Sequence, residues 1–116
     1  FHGEITSEKN AIGHFFDSKA TLVVGTHTHI PTNDGRVLSG GTAYQTDAGM
    51  CGDYNSVIGM NKDNSINRFM KKKSTKHFPA TGEATLCGVI VECNVKTGLA
   101  ISIKKFIYGG ELKNSQ

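Results

Sequence analysis

The sequence lacks the features that mark membrane, secreted and disulfide-stabilised proteins. No apolar stretch approaches the roughly 20 residues that a membrane helix needs, and no basic segment followed by an apolar one opens the chain, as a signal peptide would. The three cysteines, Cys51, Cys87 and Cys93, are an odd number without CxxC spacing, so neither a disulfide framework nor a cysteine-type zinc site is expected. We expect a cytoplasmic protein with reduced thiols and no membrane contact.

Several catalytic motifs are also absent. The sequence contains no G-x-S-x-G motif, no P-loop and no G-x-G-x-x-G, so it predicts neither a serine-type triad nor a glycine-rich phosphate loop. The net charge of +3 and the pI of about 8.8 are compatible with anionic partners but fall well short of a nucleic-acid-binding arm. With only 2 prolines but 14 glycines, the chain is expected to be rich in turns.

The patterns that are present indicate mixed α/β structure. The chain has 116 residues, 37% of them hydrophobic, which suits one domain with a modest core. A hydroxyl cap in Thr6-Ser7-Glu8 and a helical period predict an amphipathic helix over residues 7 to about 18. Its apolar stripe is Ala11, Ile12, Phe15 and Phe16, with Lys9, Asn10, His14 and Asp17 elsewhere around the helix. The following run, ATLVV at 20–24, predicts a strand covered on both faces.

Weaker signals organise the rest of the chain. Turn residues predict short strands over 36–38 and 42–46 and an ordered loop over 47–56. A second helix is predicted to be capped by Asp63-Asn64-Ser65 and to end at the basic run 71–73. Its apolar stripe is Ile66, Phe69 and Met70. From residue 84 the period changes to two on both sides of the turn NVKTG, which predicts a C-terminal β-hairpin.

Two histidines follow the first predicted strand in the segment GTHTHIP, residues 25–31. His27 and His29 are two apart, so on an extended backbone both side chains leave the same face. Such a pair by itself is more often two exposed loop residues than a metal site. Gly25 allows close backbone approach before the pair, and an element ending at His2 could lie beside the strand. The three imidazoles would then meet at one sheet edge, a donor set that suits zinc, iron or manganese.

Other candidates have equally ordinary interpretations. Glu4 would orient a histidine or simply precede the helix, and Thr28 is a candidate for a substrate wall. Asp47 and Asp53 would line a pocket or stabilise turns. His14 and His77 are expected to be solvated. The run Lys71 to Lys73 would contact phosphates or form the exposed end of a helix.

Several segments together resemble one family. FHGEITSEK, VVGTHTHIPTNDGRVL, GTAYQTDAGMCGDYNSVIGM and CGVIVECNVKTG resemble, in order, the C-terminal half of bacterial calcineurin-like metallophosphoesterases of the 2',3'-cyclic-nucleotide 2'-phosphodiesterase type. The resemblance covers nearly the whole chain. The generic superfamily motif is GHxH; in GTHTH, residues 25–29, Thr26 takes the second place, as it does in this subfamily.

The resemblance implies a fold, an activity and a ligand set. The fold would be a four-layer αββα sandwich, of which residues 1–116 form the C-terminal part, and the start at Phe1 leads us to expect a further segment upstream. His2 and His27 would bind one divalent ion and His29 a second, with iron or manganese ahead of zinc. The remaining ligands and the proton donor belong to the family's N-terminal half, so the isolated fragment is expected to be inactive.

Three functions remain open at this point. The first is a metal-dependent phosphodiesterase or phosphatase acting on phosphate esters, with cyclic nucleotides as the expected substrates. The second is a non-catalytic, mildly basic module that binds anions or nucleic acid through residues 71–73 and the hairpin. The third is a truncated product without activity. The sequence leaves nucleic-acid partners and homo-oligomerisation open.

Overall fold

A computed structural model of the chain describes residues 1–70 and 76–114. The helices are α1 (Thr6–Phe15) and α2 (Lys62–Phe69), and the strands are β1 (Leu22–Val24), β2 (Arg36–Val37), β3 (Ala43–Gln45), β4 (Gly52–Asp53), β5 (Ala84–Cys93) and β6 (Ala100–Tyr108). The strands form two three-stranded sheets, so the predicted mixed α/β class is confirmed. Neither described helix has the length and apolar character to cross a membrane. The basic run 71–73 lies outside the described residues.

The first sheet has the strand order β1-β3-β2. β1 pairs with β3 in parallel, and β2 pairs with β3 antiparallel. All of β3 is buried, whereas only Val23 of β1 is buried. The predicted strand is present over Leu22–Val24, but the predicted cover on both of its faces is wrong for the described residues, because only the Val23 side chain is packed in the core. A small core of Val23, Leu38 and Tyr44 packs beside this sheet, with Ile12 of α1 against it.

The second sheet has the order β4-β5-β6 and contains the predicted hairpin. β5 and β6 pair antiparallel from Leu86↔Tyr108 to Cys93↔Ala100, which confirms the prediction from period two. One face buries Cys87 and Ile107. A bulge between Glu92 and Cys93 interrupts the register. The segment 47–56, predicted as a loop only, also contributes the short strand β4 to this sheet.

Helix α1 differs from its prediction in its ends and in its buried face. It begins after Ile5, with no side-chain cap, so the predicted hydroxyl cap is wrong. It ends at Phe15 because the carboxylate of Asp17 accepts hydrogen bonds from the turn at residues 40–42. The buried residues are Lys9 and Gly13, while Phe15 is 66% exposed. The helix therefore packs through Lys9, Gly13 and the partly buried Ile12, not through its phenylalanines.

Helix α2 is also corrected. Its N-cap is Asn61, whose side chain accepts from the N–H of Asn64, so the predicted cap residues 63–65 lie within the first turn. Asn64 and Ser65 are buried. The predicted apolar stripe is exposed, with Phe69 at 82%. Polar residues of this helix face the protein, and its apolar ones form part of the surface.

The chain is more extended than a typical domain of its length. Its radius of gyration is 16.8 Å and its dimensions are 57 × 29 × 17 Å, whereas about 13 Å is usual for a compact domain of this size. The accessible surface of 7432 Å² likewise exceeds the roughly 6,200 Å² expected for a folded monomer of this mass. The hydrophobic core is correspondingly small.

Candidate functional site

His2 lies beside the carboxyl end of β1, as predicted. It forms an isolated parallel bridge with Thr26: the N–H of Thr26 donates to the Phe1 carbonyl at 2.9 Å, and the N–H of Gly3 donates to the Thr26 carbonyl at 3.2 Å. Residues 1–3 thus extend the sheet next to the histidine segment. The bridge brings the first histidine to the second across 25 residues of chain.

The segment after β1 requires a glycine and a strained histidine. A Cβ at Gly25 would lie 2.2 Å from the Thr46 carbonyl oxygen, so only glycine lets the two parallel strand ends approach. His29 has φ +65, a conformation that side chains rarely adopt and that concentrates at functional sites. Its carbonyl accepts hydrogen bonds from the Tyr54 hydroxyl at 3.0 Å and from the Met50 N–H at 3.3 Å. Residues 47–54 therefore fix the backbone of the second histidine.

Two of the imidazoles face each other directly. His2 Nε2 lies 3.0 Å from His27 Nδ1, and the rings meet edge to face with centroids 4.9 Å apart. The other ring nitrogen of His2, Nδ1, lies 3.1 Å from the Thr26 hydroxyl oxygen. If that nitrogen carries the proton and donates to Thr26, Nε2 presents its lone pair toward His27. The Thr26 hydroxyl thus contacts Nδ1 of the His2 ring while Nε2 faces His27.

The third imidazole is oriented by a backbone carbonyl. His29 Nδ1 lies 2.8 Å from the carbonyl oxygen of Ile58, which can only accept, so Nδ1 carries the proton and Nε2 is unprotonated in the neutral ring. A hydrogen bond of this kind is typical of histidines that bind metals.

All three histidines line one open cavity of about 160 Å³. Its other lining residues are Thr26, Asp47, Gly49 and Met50. Asp47 is 1% exposed, and its carboxylate accepts from the N–H of Thr28 at 2.7 Å and of Gly49 at 2.8 Å. Asp47 thus fixes the backbone between the two histidines.

A buried ion pair lies beneath this cavity. Lys9 of α1 is 1% exposed, and its Nζ lies 3.6 Å from the carboxylate of Asp47. The ammonium also donates to the carbonyls of Thr26 at 3.2 Å and Thr46 at 3.4 Å. Burial raises the pKa of Asp47, but the N–H donors of Gly49 and Thr28 and the charge of Lys9 outweigh it, so the net pKa is lowered. The ion pair joins the helix to the carboxyl ends of β1 and β3.

The other candidate residues lie outside this cluster. Glu4 is exposed and does not line the cavity. Thr28 donates to the Ile30 carbonyl, and Asp53 accepts from the N–H groups of Asn55 and Gly82, so both stabilise turns. His14 is exposed on α1.

The sequence did not indicate two of the residues that support the cluster. Lys9 was placed away from the packed face of the helix, although its spacing of four from Gly13, the other buried residue of α1, puts the two on one face. Tyr54 lay in a segment without a period. No pattern within the sequence shows that its hydroxyl reaches His29 and Met50.

The donor chemistry fits a metal centre, but the described donors are incomplete. His2 Nε2 and His27 Nδ1 lie 3.0 Å apart, and imidazole nitrogen is a common ligand of zinc, iron and manganese. Within residues 1–70 and 76–114, no group of three or more His, Cys, Asp or Glu side chains is arranged to hold an ion. Further ligands would have to come from elsewhere.

The chain has relatives of known structure and of assigned activity. It is 43% identical over 107 residues to a protein of Bacillus subtilis named 2',3'-cyclic-nucleotide 2'-phosphodiesterase, covering 92% of this chain and 40% of that protein. A crystal structure titled as a novel phosphatase, from Mycoplasma pneumoniae, superposes with a TM-score of 0.86 at 41% identity, covering 94% of this chain and 39% of that one. A hypothetical protein from Thermus thermophilus superposes with the same score at 36% identity, covering 95% and 43%.

These matches show the predicted resemblance, and they also show its extent. The chain spans about two fifths of the length of the relatives that it matches. A family profile described as YmdB-like protein matches residues 1–106. The chain therefore belongs to the YmdB-like protein family.

Proposed function

We propose that this chain supplies three histidine ligands to the two-metal site of a phosphodiesterase that acts on cyclic nucleotides. One observation carries the proposal: His2 Nε2 and His27 Nδ1 face each other at 3.0 Å in a cavity that His29 also lines. The name of the Bacillus subtilis relative supports the substrate class. The four-layer sandwich belongs to the same proposal for the whole domain.

The family resemblance supplies the proposed roles of the three histidines, and their hydrogen bonds are compatible with those roles. His2 and His27 would bind one ion, and His29, turned by the Ile58 carbonyl, would bind the second. Neutral imidazoles leave the charge of the ions uncompensated, which favours an anionic phosphate ester. Imidazole nitrogen suits iron, manganese and zinc, and we propose iron or manganese.

When bound, two ions supply a nucleophilic hydroxide and neutralise the phosphoryl oxygens. The chain's own residues position the donors: Thr26 sets the ring of His2, and Asp47 holds the backbone between His27 and His29. The remaining ligands and the proton donor for the leaving group would lie outside these residues.

The proposal is tested by His27→Ala in the protein at the full length its gene encodes. We expect bound metal to fall and hydrolysis of 2',3'-cyclic AMP to drop by about 100-fold or more, because His27 is a proposed ligand of one ion and its loss weakens the binding and the positioning of that ion. Metal content is measured by mass spectrometry and activity by chromatography of the product.

His14→Ala, on the exposed face of α1, is the matched control and should leave both measurements unchanged. Full activity and unchanged metal in His27→Ala would overturn the proposal. Salt-dependent RNA binding that neither a chelator nor this substitution affects would instead support a nucleic-acid-binding module.

A further inference from the structure

A second and larger cavity is lined by Ile58, the residue whose carbonyl accepts from His29. Its volume is about 300 Å³, at the lower end of the range for small-molecule sites, roughly 300–1,000 Å³. It is lined by Val57, Ile58, Ser65, Arg68, Phe69 and His77. The histidine cluster contributes none of these residues, so this is a separate cavity.

The cavity contains a buried hydroxyl that is not hydrogen-bonded. Ser65 is 3% exposed, and its Oγ has no partner among residues 1–70 and 76–114. A buried hydroxyl without a hydrogen-bond partner destabilises the protein, because the group has lost its contacts with water and gained none in return. Because Ser65 lines the cavity, a ligand that enters can supply the missing hydrogen bond.

One residue connects this cavity to the histidine cluster. The carbonyl of Ile58 accepts from His29 Nδ1 at 2.8 Å, while the same residue lines the cavity. Ile58 has φ +48, and the turn around it is closed by the bridge Val57↔Met60 and by the hydrogen bond from Ala80 N–H to Gly59 O at 2.9 Å. The wall of the cavity and the orientation of His29 are therefore set by the same backbone.

We propose that this cavity binds the base of the nucleotide whose phosphate lies at the histidine cluster. This inference rests on the proposed function and adds the part of the substrate that is recognised. Val57, Ile58 and Phe69 form apolar walls for a flat ring, and Ser65 hydrogen-bonds to a polar atom on the edge of the base.

The chemistry of the lining favours a base over other groups. Phe69 is 82% exposed, so its ring is free of the core and available for stacking on a base. The guanidinium of Arg68 can stack on the same ring system. An aliphatic tail would leave the Ser65 hydroxyl unsatisfied.

Binding of adenosine, which has no phosphate, tests the cavity directly. Titration calorimetry uses the protein at full gene length with a chelator present, so that metal plays no part. We expect binding that Ser65→Leu weakens by about tenfold or more, because the larger side chain fills the cavity. Phe69→Ala, at an exposed position that does not threaten folding, should weaken it by a similar factor. Ser7→Ala, exposed on α1, is the control.

A second measurement separates the cavity from catalysis. In the wild type, kcat/KM for 2',3'-cyclic AMP should exceed that for ribose 2',3'-cyclic phosphate, and Phe69→Ala should reduce this ratio by about tenfold without changing hydrolysis of the base-free ester. If neither ester is hydrolysed, the proposed function fails while adenosine binding still tests the cavity. The inference would be overturned if the wild type did not bind adenosine, or if Ser65→Leu and Phe69→Ala bound it as tightly as the wild type does. Displacement of adenosine by inorganic phosphate would also overturn it.

Discussion

The first sheet with its histidine segment and the β5–β6 hairpin are stabilised in opposite ways. Around the first sheet, polar residues are buried: Thr42, Gln45 and Asp47 are each 1% exposed or less, as is Lys9. The hairpin has a longer strand pairing, but Leu86 and Ile90 on its outer face are each 50% exposed. The part that carries the candidate site is therefore fixed by buried hydrogen bonds, whereas the hairpin is fixed by its own ladder.

This difference shows where precision is required. A buried polar network loses stability when any one partner is removed, because the remaining group is left desolvated and without a hydrogen bond. It also locks side chains in one arrangement, which suits donors that must face one another at 3.0 Å. The hairpin needs only its register, which alternation specifies.

The largest effect on stability is expected from a substitution that breaks the buried ion pair of Lys9 and Asp47. Lys9→Met should lower the free energy of unfolding by about 3–5 kcal/mol, because it leaves Asp47 charged and buried without its cation. Chemical denaturation of the protein measures this loss. Lys104→Met, the same change at an exposed position of β6, should change stability by less than about 0.5 kcal/mol.

Adding Asp47→Asn to Lys9→Met should cost less than the sum of the two single changes, because the buried charge is then removed. If Lys9→Met and Lys104→Met both changed the free energy of unfolding by the same small amount, the buried ion pair would not stabilise the first sheet, and the proposed difference between the two regions would be contradicted.

An intermediate effect depends on pH. Asp34 accepts hydrogen bonds from the hydroxyls of Thr32 at 2.7 Å and of Thr46 at 2.5 Å. Burial raises the pKa of Asp34, but the hydrogen bonds from Thr46 and Thr32 outweigh it and lower the net pKa. The stabilisation is thus fully present above the unfolded-state pKa of about 3.9 and is lost as pH falls through the lower folded-state pKa.

Asp34→Asn should therefore reduce stability by about 1–2 kcal/mol at pH 7, with the difference from wild type narrowing below about pH 4. Denaturant titrations at pH 7 and pH 3.5 measure the two differences. A difference that is constant with pH would mean that the ionised carboxylate is not what Thr32 and Thr46 bind.

The smallest effect is expected on the outer face of the hairpin. Ile90→Thr should change the free energy of unfolding by less than about 0.5 kcal/mol. The matched change Ile107→Thr, where the side chain is 7% exposed on the opposite face, should cost about 2 kcal/mol or more. Similar losses at both positions would show that the outer face is covered in the protein, and the contrast between the two regions would then disappear.

The sequence predicted local patterns well and burial poorly. The hairpin followed from alternation alone, since both of its strands and their turn are adjacent in the chain. The sequence also predicted that an element ending at His2 lies beside the first strand, and the structure places His2 against Thr26, just after that strand. The metal-binding role of the histidines is still a prediction.

Burial of the helices was predicted incorrectly for a common reason. The helical period marks which residues share a face but not which face meets the rest of the protein, so Phe15 and Phe69 were assigned to packed stripes and are exposed. Lys9 is buried because Asp47 and two carbonyls, distant in sequence, converge on it. A single sequence contains no local sign of such convergence.

The bridge between His2 and Thr26 has a consequence for folding itself. His27 and His29 are neighbours in the unfolded chain, but His2 reaches them only when a loop of about 24 residues closes, at an entropic cost of about 3 kcal/mol. An ion held by His2 and His27 together would bind the closed loop and not the open one. Metal binding would then stabilise the folded first sheet, so the ion would have a structural role as a cross-link in addition to its proposed catalytic role.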